Sequence, residues 1–209
     1  MAFDVGHVVE DDFNINYLIN TTMNGPGDAD AHLLTLFSIA LSIKAKVIVE
    51  LGVRKGYTTV PLLLAAQKNN GKLDSVDIEP IEFKIPNTLE QYWEFHKCDS
   101  LHFLNKWEKS KKIDLVYIDD LHTYTHVAEE LKLIKPLITP SSVILLHDLM
   151  YGNWEPRYHT DMTLTKGQWA HGGPYRAVGE LDQQHWEFST IPSCNGLTIL
   201  RNKGMIVPK

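Results

Sequence analysis

The sequence predicts an α/β fold in which one mostly parallel β-sheet lies between two layers of helices. Three observations support this prediction: short apolar runs rich in β-branched residues recur along the chain, helical segments separate them, and two further runs near the carboxyl terminus are joined by a turn. Strands that alternate with helices form parallel sheets with right-handed crossovers. Because the 209 residues contain no linker rich in Gly, Pro or Ser, we expect a single domain over 1–209.

The individual elements are predicted from apolar runs, helical periodicity and turn residues. The predicted strands are 46–50, 73–78, 92–98, 113–118, 142–146, 185–191 and 197–201. The predicted helices are 13–23, 31–44, 58–69, 100–109, 127–134 and 174–181. Between the second and third strands, Pro80 and Pro86 make a long helix a poor prediction. We expect residues 1–30 to form an amino-terminal cap and 150–173 a lid-like insertion.

Composition limits the classes of partner. The net charge of −6 and the lack of a Lys/Arg run argue against nucleic acid and favour a small-molecule partner. No segment approaches the roughly 20 apolar residues that cross a bilayer, so no membrane contact is expected. The first residues are acidic and lack the basic and continuous apolar regions of a secretory signal, so a cytoplasmic location is expected. Cys98 and Cys194 lack metal-type spacing and are predicted to be reduced thiols. The oligomeric state stays open, with a homodimer among the candidates.

The densest signal is the segment 50–58, ELGVRKGYT, which follows a predicted strand and leads into a helix. Gly52 and Gly56 let the backbone approach a ligand, and the amino terminus of the helix offers free N–H groups. The spacing is E-x-G-x-x-x-G, whereas nicotinamide and flavin enzymes carry G-x-G-x-x-G. The sequence therefore favours a nucleoside with an amino-acid tail, and an NAD(P)-dependent oxidoreductase is the disfavoured alternative.

Acidic residues recur where successive strands end: Asp77 ends the second strand and Asp99 follows the third. Together with segment 50–58, they resemble the donor-binding motifs of class I S-adenosylmethionine-dependent methyltransferases, and the resemblance extends over about 31–201. It implies a Rossmann-like three-layer sandwich with a seven-stranded sheet of order 3-2-1-4-5-7-6. The last strand is then antiparallel, as the predicted carboxyl-terminal hairpin requires. S-adenosylmethionine is the implied cofactor.

The same resemblance assigns roles to residues of the donor pocket. Asp77 would accept hydrogen bonds from the ribose hydroxyls, and Asp99 would contact the adenine amino group. For each acid, a role as a helix cap or turn residue is the alternative. The predicted donor-binding residues are Glu50, Gly52, Val53, Gly56, Thr58, Asp77, Ile78, Asp99, Ser100 and Asp119.

Two polar clusters, 119–124 (DDLHTY) and 147–148 (HD), follow the fourth and fifth strands and should face one crevice. Their sequences resemble those of macrocin-type and cephalosporin-hydroxylase-like methyltransferases and, more loosely, those of catechol-type O-methyltransferases. The catechol-type resemblance implies a divalent ion held by Asp119, His147 and Asp148. A histidine in place of an oxygen ligand suits Mn²⁺ or Fe²⁺ as well as Mg²⁺. Alternatively, Asp148 closes the substrate pocket while His147 bonds a neighbouring loop.

His122 is the predicted general base. It follows Asp119 by three residues, the offset at which catechol-type enzymes place a lysine base. An imidazole with a pKa near neutrality can take a proton from a hydroxyl at physiological pH. The alternative is that His122 orders its loop by bonding a backbone carbonyl or Asp120.

Aromatic residues of the insertion could form a lid over the acceptor: Tyr151, Trp154, Tyr158, Trp169 and Tyr175. They could equally pack the loop down, and a metal site made by His159 and His171 is disfavoured. The sequence predicts an enzyme that methylates an oxygen, or less favourably a nitrogen, of a small molecule. A non-catalytic or hydroxylase-like binder of S-adenosylmethionine is the remaining alternative.

Overall fold

The computed structural model describes residues 6–27, 29–150 and 173–204. One sheet contains the strands β1 (Val47–Leu51), β2 (Lys72–Asp77), β3 (Trp93–Lys97), β4 (Leu115–Ile118), β5 (Val143–His147), β6 (Trp186–Ile191) and β7 (Leu197–Asn202). The helices are α1 (Ile15–Asn24), α2 (Leu33–Ser42), α3 (Thr59–Asn69), α4 (Ser100–Lys106), α5 (Tyr124–Ile134) and α6 (Gly173–Gly179). The predicted strands and helices are all present, with ends that shift by a few residues.

The strand order is β3-β2-β1-β4-β5-β7-β6, as predicted. Strands β1 to β5 pair in parallel, whereas β7 is antiparallel to both β5 and β6. The order reverses between β1 and β4, whose carboxyl ends lie side by side with Leu51 opposite Ile118. In open α/β sheets this reversal opens a crevice in which ligands bind.

Both faces of the sheet are covered, because side chains along each strand alternate between two apolar cores. Ile48 and Tyr117 belong to the core beneath α1, α2 and α3. Their neighbours Val49 and Val116 belong to the core beneath α4, α5 and α6. All four of these side chains are fully buried. This explains why the central strands read as continuous apolar runs.

Two local features depart from regular elements. Residues between β2 and β3 form only a short 3₁₀ turn at Glu90–Tyr92, which agrees with the poor helix signal there. Helix α4 ends three residues earlier than predicted, because Trp107 is extended (φ −60°, ψ 136°) and its indole N–H donates to the Lys111 carbonyl at 2.7 Å.

The amino-terminal segment packs on the loop after β1. The backbone N–H of Val8 donates to the Lys55 carbonyl at 3.2 Å, and the Tyr57 hydroxyl donates to the Gly6 carbonyl at 2.6 Å. Most of the predicted lid, including Tyr151, Trp154, Tyr158 and Trp169 with His159 and His171, lies outside the described residues. Tyr175 lies on α6 and is exposed. Among the described helices, none is both long and apolar enough to cross a bilayer.

Candidate active site

Gly52 brings the ends of β1 and β4 together. Its φ is +90°, in the left-handed region, and a Cβ atom at this position would lie 2.3 Å from the carbonyl oxygen of Asp119. No side chain fits there without displacing backbone atoms. The glycine therefore sets the narrow gap between the loop after β1 and the polar segment after β4.

Glu50 lies beneath this loop and is fully buried. Its carboxylate accepts hydrogen bonds from the hydroxyls of Thr58 (2.7 Å), Thr59 (2.9 Å) and Ser75 (2.6 Å). Burial raises the pKa of Glu50 to about 7, although the three hydroxyl donors oppose the shift. Glu50 and Thr58 thus join the end of β1 to the start of α3 and to β2. In this position Glu50 shapes the loop from below.

Asp77 holds the same loop from the side. One of its carboxylate oxygens accepts from the backbone N–H groups of Val53 (2.8 Å) and Arg54 (3.0 Å), and the other accepts from Glu79 (2.9 Å). Gly56 is required for packing, because a Cβ atom there would lie 2.7 Å from the ring of Phe83. The loop is therefore fixed from below by Glu50 and laterally by Asp77.

A cavity of about 300 Å³ opens at the carboxyl ends of β1, β2 and β4. Its walls are formed by Gly52, Arg54, Val76, Asp77, Ile78, Glu79, Cys98, Asp99, Ser100, Asp119, Asp120, Leu121 and His126. Six of the ten predicted donor-binding residues line it, namely Gly52, Asp77, Ile78, Asp99, Ser100 and Asp119. The other four, Glu50, Val53, Gly56 and Thr58, are not among the lining residues. They support the loop or the start of α3.

Asp99 and Ser100 at the start of α4 were predicted to bind the donor, but the contribution of α5 to this cavity wall was not predicted from the sequence. Asp99 is the N-cap of α4 and accepts from the backbone N–H of His102 at 3.1 Å. Ser100 Oγ lies 2.9 Å from Nε2 of His126, which is on α5. The i, i+4 spacing of His126 and Glu130 was visible in the sequence, but nothing local to it indicated that α5 faces α4.

A second polar cluster adjoins the cavity at Asp119. Oδ1 of Asp119 lies 3.2 Å from Nε2 of His122 and 3.2 Å from Nδ1 of His147. Asp148 closes the group, with Oδ2 3.3 Å from Nε2 of His122 and Oδ1 3.1 Å from Nδ1 of His147. The predicted base and the predicted metal ligands therefore meet in one group. Asp119 belongs both to this group and to the cavity wall.

Electrostatic interactions within the cluster favour the charged forms of Asp119, His122 and His147. Burial would raise the pKa of Asp119, but hydrogen bonds from His122 and His147 outweigh it and lower that pKa below its usual range. Burial would lower the pKa of His147, yet Asp119 and Asp148 raise it to about 11. The pKa of His122 is also raised, because the same two carboxylates outweigh its burial.

His147 is oriented by the loop between β6 and β7. Its Nε2 donates to the Cys194 carbonyl at 2.9 Å, so Nδ1 is the nitrogen that faces the carboxylates. His32, from the amino-terminal side of α2, donates from Nε2 to the Ser193 carbonyl at 2.8 Å, and its ring lies edge-on to His147 with centroids 5.6 Å apart. His32 precedes an apolar helix, and no local pattern indicated that it reaches this site.

The donor set fits a divalent ion. Asp119, His122 and Asp148 each offer a ligand atom, and these atoms all lie within 4.8 Å of one another. His147 directs Nδ1 at the same carboxylates while its other nitrogen is held by a carbonyl, the arrangement usual for a ligating histidine. Carboxylate and imidazole ligands suit Mn²⁺, and Mg²⁺ when oxygen ligands dominate. His122 therefore has two alternative roles at this cluster, as a ligand of the ion or as the predicted base.

Comparison with known proteins supports the fold. Residues 49–149 match the model of a family described as a methyltransferase domain. No curated protein matches the chain.

Solved structures with the same fold cover most of the chain at low identity. One is a Podospora anserina methyltransferase bound to S-adenosylhomocysteine (TM-score 0.63, 15% identity, 95% of this chain and 90% of that chain). Another is a Streptomyces achromogenes O-methyltransferase of tomaymycin synthesis in complex with S-adenosylmethionine (0.61, 16%, 84% and 81%). A third is a Bacillus cereus O-methyltransferase in complex with S-adenosylhomocysteine (0.59, 11%, 97% and 94%).

The family match contains both polar clusters and every residue that lines the cavity. The remaining strands complete the sheet in the order that the sequence resemblance implied. Residues 49–149, a little under half of the chain, therefore match a methyltransferase-domain family, and the sheet to which they belong has the fold of the solved methyltransferase structures.

Proposed function

We propose that this protein transfers the methyl group of S-adenosylmethionine to an oxygen atom of a small-molecule acceptor. The observation that carries the proposal is the position of Asp119, which lines the cavity and contacts both His122 and His147. A donor bound in the cavity would then lie beside a group of imidazoles and carboxylates. Acid–base side chains next to a methyl donor are what O-methylation of a hydroxyl requires.

The donor-binding roles are assigned to the cavity wall. Asp77 and Asp99 are the proposed partners of the ribose and the adenine amino group, with Gly52 giving the donor close access to the backbone. When bound, S-adenosylmethionine supplies a methyl group that is already activated by its sulfonium. The protein's task is then mainly to orient the acceptor oxygen and exclude water, and orientation can lower a barrier by roughly 7–11 kcal/mol.

His122 is the proposed base. A group that accepts the acceptor's proton must itself be unprotonated, and the two carboxylates beside His122 favour its protonated form. A Mg²⁺ or Mn²⁺ ion held by Asp119, Asp148 and His147 would supply positive charge that lowers the pKa of a bound hydroxyl. We therefore include this ion in the proposal, with His147 as a ligand oriented by Cys194.

The test is methyl transfer from isotopically labelled S-adenosylmethionine to catechols, sugars and hydroxy acids, with and without Mg²⁺ or Mn²⁺. We expect a hydroxyl-bearing acceptor to be labelled, and the His122→Ala variant to lose roughly 10²–10⁴-fold in single-turnover rate. Undiminished transfer by His122→Ala would remove it as the base. Donor binding with no transfer to any acceptor would favour the non-catalytic alternative.

A further inference from the structure

A second group of potential metal ligands lies behind the donor cavity, separate from the cluster at Asp119. His126 and Glu130 are one turn apart on α5, Asp120 lies in the loop after β4, and Ser100 begins α4. Nε2 of His126 is 3.2 Å from Asp120 Oδ2, 3.5 Å from Glu130 Oε1 and 2.9 Å from Ser100 Oγ. The ligand atoms of the two acids and the histidine all lie within 4.8 Å of one another.

Glu130 is the feature that hydrogen bonding does not explain. Its side chain is 0% exposed, and neither carboxylate oxygen has a hydrogen-bond partner among the described residues. Oδ1 of Asp120 is also buried and also has no hydrogen-bond partner among the described residues. Nε2 of His126 can carry only one hydrogen, yet three oxygen atoms face it. Buried carboxylates are normally paired or bound to a metal. The described residues offer these two acids one positive charge, on His126, whose pKa burial would lower but Asp120 and Glu130 raise to about 10, and the single hydrogen on Nε2 leaves carboxylate oxygens unsatisfied.

We propose that Asp120, His126 and Glu130, assisted by Ser100, form a second divalent-cation site of the zinc type. Zinc accepts imidazole nitrogen and carboxylate oxygen at about 2.0–2.2 Å, which in a tetrahedron separates neighbouring ligand atoms by about 3.3–3.6 Å. The separations of 2.9, 3.2 and 3.5 Å around His126 Nε2 need only small shifts to reach these values. A bound cation would satisfy all the facing oxygens at once.

The position of the site suggests what the ion does. Ser100, Asp120 and His126 are also part of the wall of the donor cavity, on α4, the loop after β4 and α5 respectively. A cation there would tie these three elements together directly behind the donor. The role is structural support of the cavity wall, and it does not depend on whether the protein methylates an oxygen.

The competing explanation is a proton. Burial raises the pKa of Glu130 to about 8, with Asp120 adding to the shift, so a protonated Glu130 could also reduce the negative charge of the group. A proton and a metal ion are distinguished by whether Zn²⁺ binds, and by whether its binding needs Glu130 and Asp120.

The experiment uses the full chain, treated with a chelator and dialysed, and follows Zn²⁺ binding by calorimetry and by the change in Tm. Asp148→Asn is included in every variant to weaken the first candidate site, because asparagine tolerates the left-handed backbone that Asp148 adopts (φ +63°). Glu130→Gln and Asp120→Asn test the second site independently. Glu129→Gln is the matched control, since Glu129 is on the same helix and pairs with Lys132 outside the group.

We expect the Asp148→Asn protein to bind one equivalent of Zn²⁺ and to gain thermal stability from it. Adding Glu130→Gln or Asp120→Asn should weaken that binding by more than about 100-fold, beyond the loss typical of an outer-shell partner, and abolish the Tm shift. The Glu129→Gln control should retain both. Unchanged Zn²⁺ affinity in Glu130→Gln and Asp120→Asn would overturn the proposal, as would the absence of Zn²⁺ binding to the Asp148→Asn protein.

Discussion

A Cβ atom on Gly52 would lie 2.3 Å from the carbonyl oxygen of Asp119, so the donor loop and the proposed catalytic segment are in direct backbone contact. We expect Gly52→Ala to destabilise the protein by at least about 1–3 kcal/mol, because alanine is strained at φ +90° before any clash is counted. It should also weaken donor binding. Urea unfolding and calorimetric titration with S-adenosylhomocysteine measure the two effects.

The control for this substitution is Gly179→Ala at the end of α6, where an added Cβ atom would meet nothing within 4 Å. We expect that variant to unfold and bind as the wild type does. Wild-type stability in Gly52→Ala would contradict the close approach of the two segments.

The raised pKa of Glu50 predicts how the free energy of unfolding depends on pH. Its pKa is raised from 4.5 to about 7 in the folded protein, so between these values the folded state holds a proton that the unfolded state has lost. This contribution to stability is fully present below pH 4.5 and is lost as the pH rises through 7. Its full size is about 3 kcal/mol.

The measurement is the free energy of unfolding of the wild type and Glu50→Gln between pH 5 and pH 8. A glutamine has no proton to release, so the difference between the two proteins should change over this range in favour of the variant at high pH. Glu129→Gln, which removes a partly exposed carboxylate, should leave the wild-type dependence intact. A pH-independent difference between wild type and Glu50→Gln would contradict the raised pKa.

Substitutions at Asp99 separate the two roles that the sequence left open. Asparagine is as good an N-cap as aspartate, so Asp99→Asn should keep the stability of α4 but lose a carboxylate from the cavity. Asp99→Ala should lose the cap as well, at a cost of about 1 kcal/mol. We expect both variants to bind S-adenosylhomocysteine less tightly. Full affinity in Asp99→Asn would leave Asp99 as a cap alone.

Asp77 is expected to hold both the loop and the donor. Both carboxylate oxygens of Asp77 accept hydrogen bonds from the backbone N–H groups of Val53, Arg54 and Glu79. In Asp77→Asn one of these oxygens becomes an NH₂ group, which cannot accept, so at least one of these hydrogen bonds is lost. We expect the Kd for S-adenosylhomocysteine to rise by at least about tenfold, the range expected when a charged acceptor is lost. Glu79→Gln makes the same charge change on the same cavity wall and should have a much smaller effect.

The strands were predictable because the apolar runs and turn residues that specify them are contiguous in the sequence. The apolar runs at β1, β4 and β5 and the turn before β7 are readable along the chain, and the family resemblance supplied their order. The end of α4 was not predictable, since it depends on a contact between Trp107 and the Lys111 carbonyl that a periodicity argument does not contain.

The site was predictable only where strand ends supplied its residues. Asp77 ends a strand, Asp99 and Asp119 come just after strands, and all three line the cavity. Glu50 was expected at the donor, but its alternation along β1 turns it beneath the loop, where the hydroxyls of Thr58, Thr59 and Ser75 meet it. His32 and His126 arrive from helices whose packing brings distant parts of the chain together, and single-sequence patterns carry no signal for such contacts.

The central claim is that the cavity bounded by Gly52, Asp77 and Asp119 holds the methyl donor, and calorimetric titration tests it most directly. S-adenosylmethionine, S-adenosylhomocysteine, NADH and NADPH are titrated separately into the wild type and Asp77→Asn. We predict one equivalent of either adenosyl compound, weakened in the variant, and no binding of the nicotinamide cofactors. Binding of only the nicotinamide cofactors, or adenosyl binding that is indifferent to Asp77, would contradict the claim.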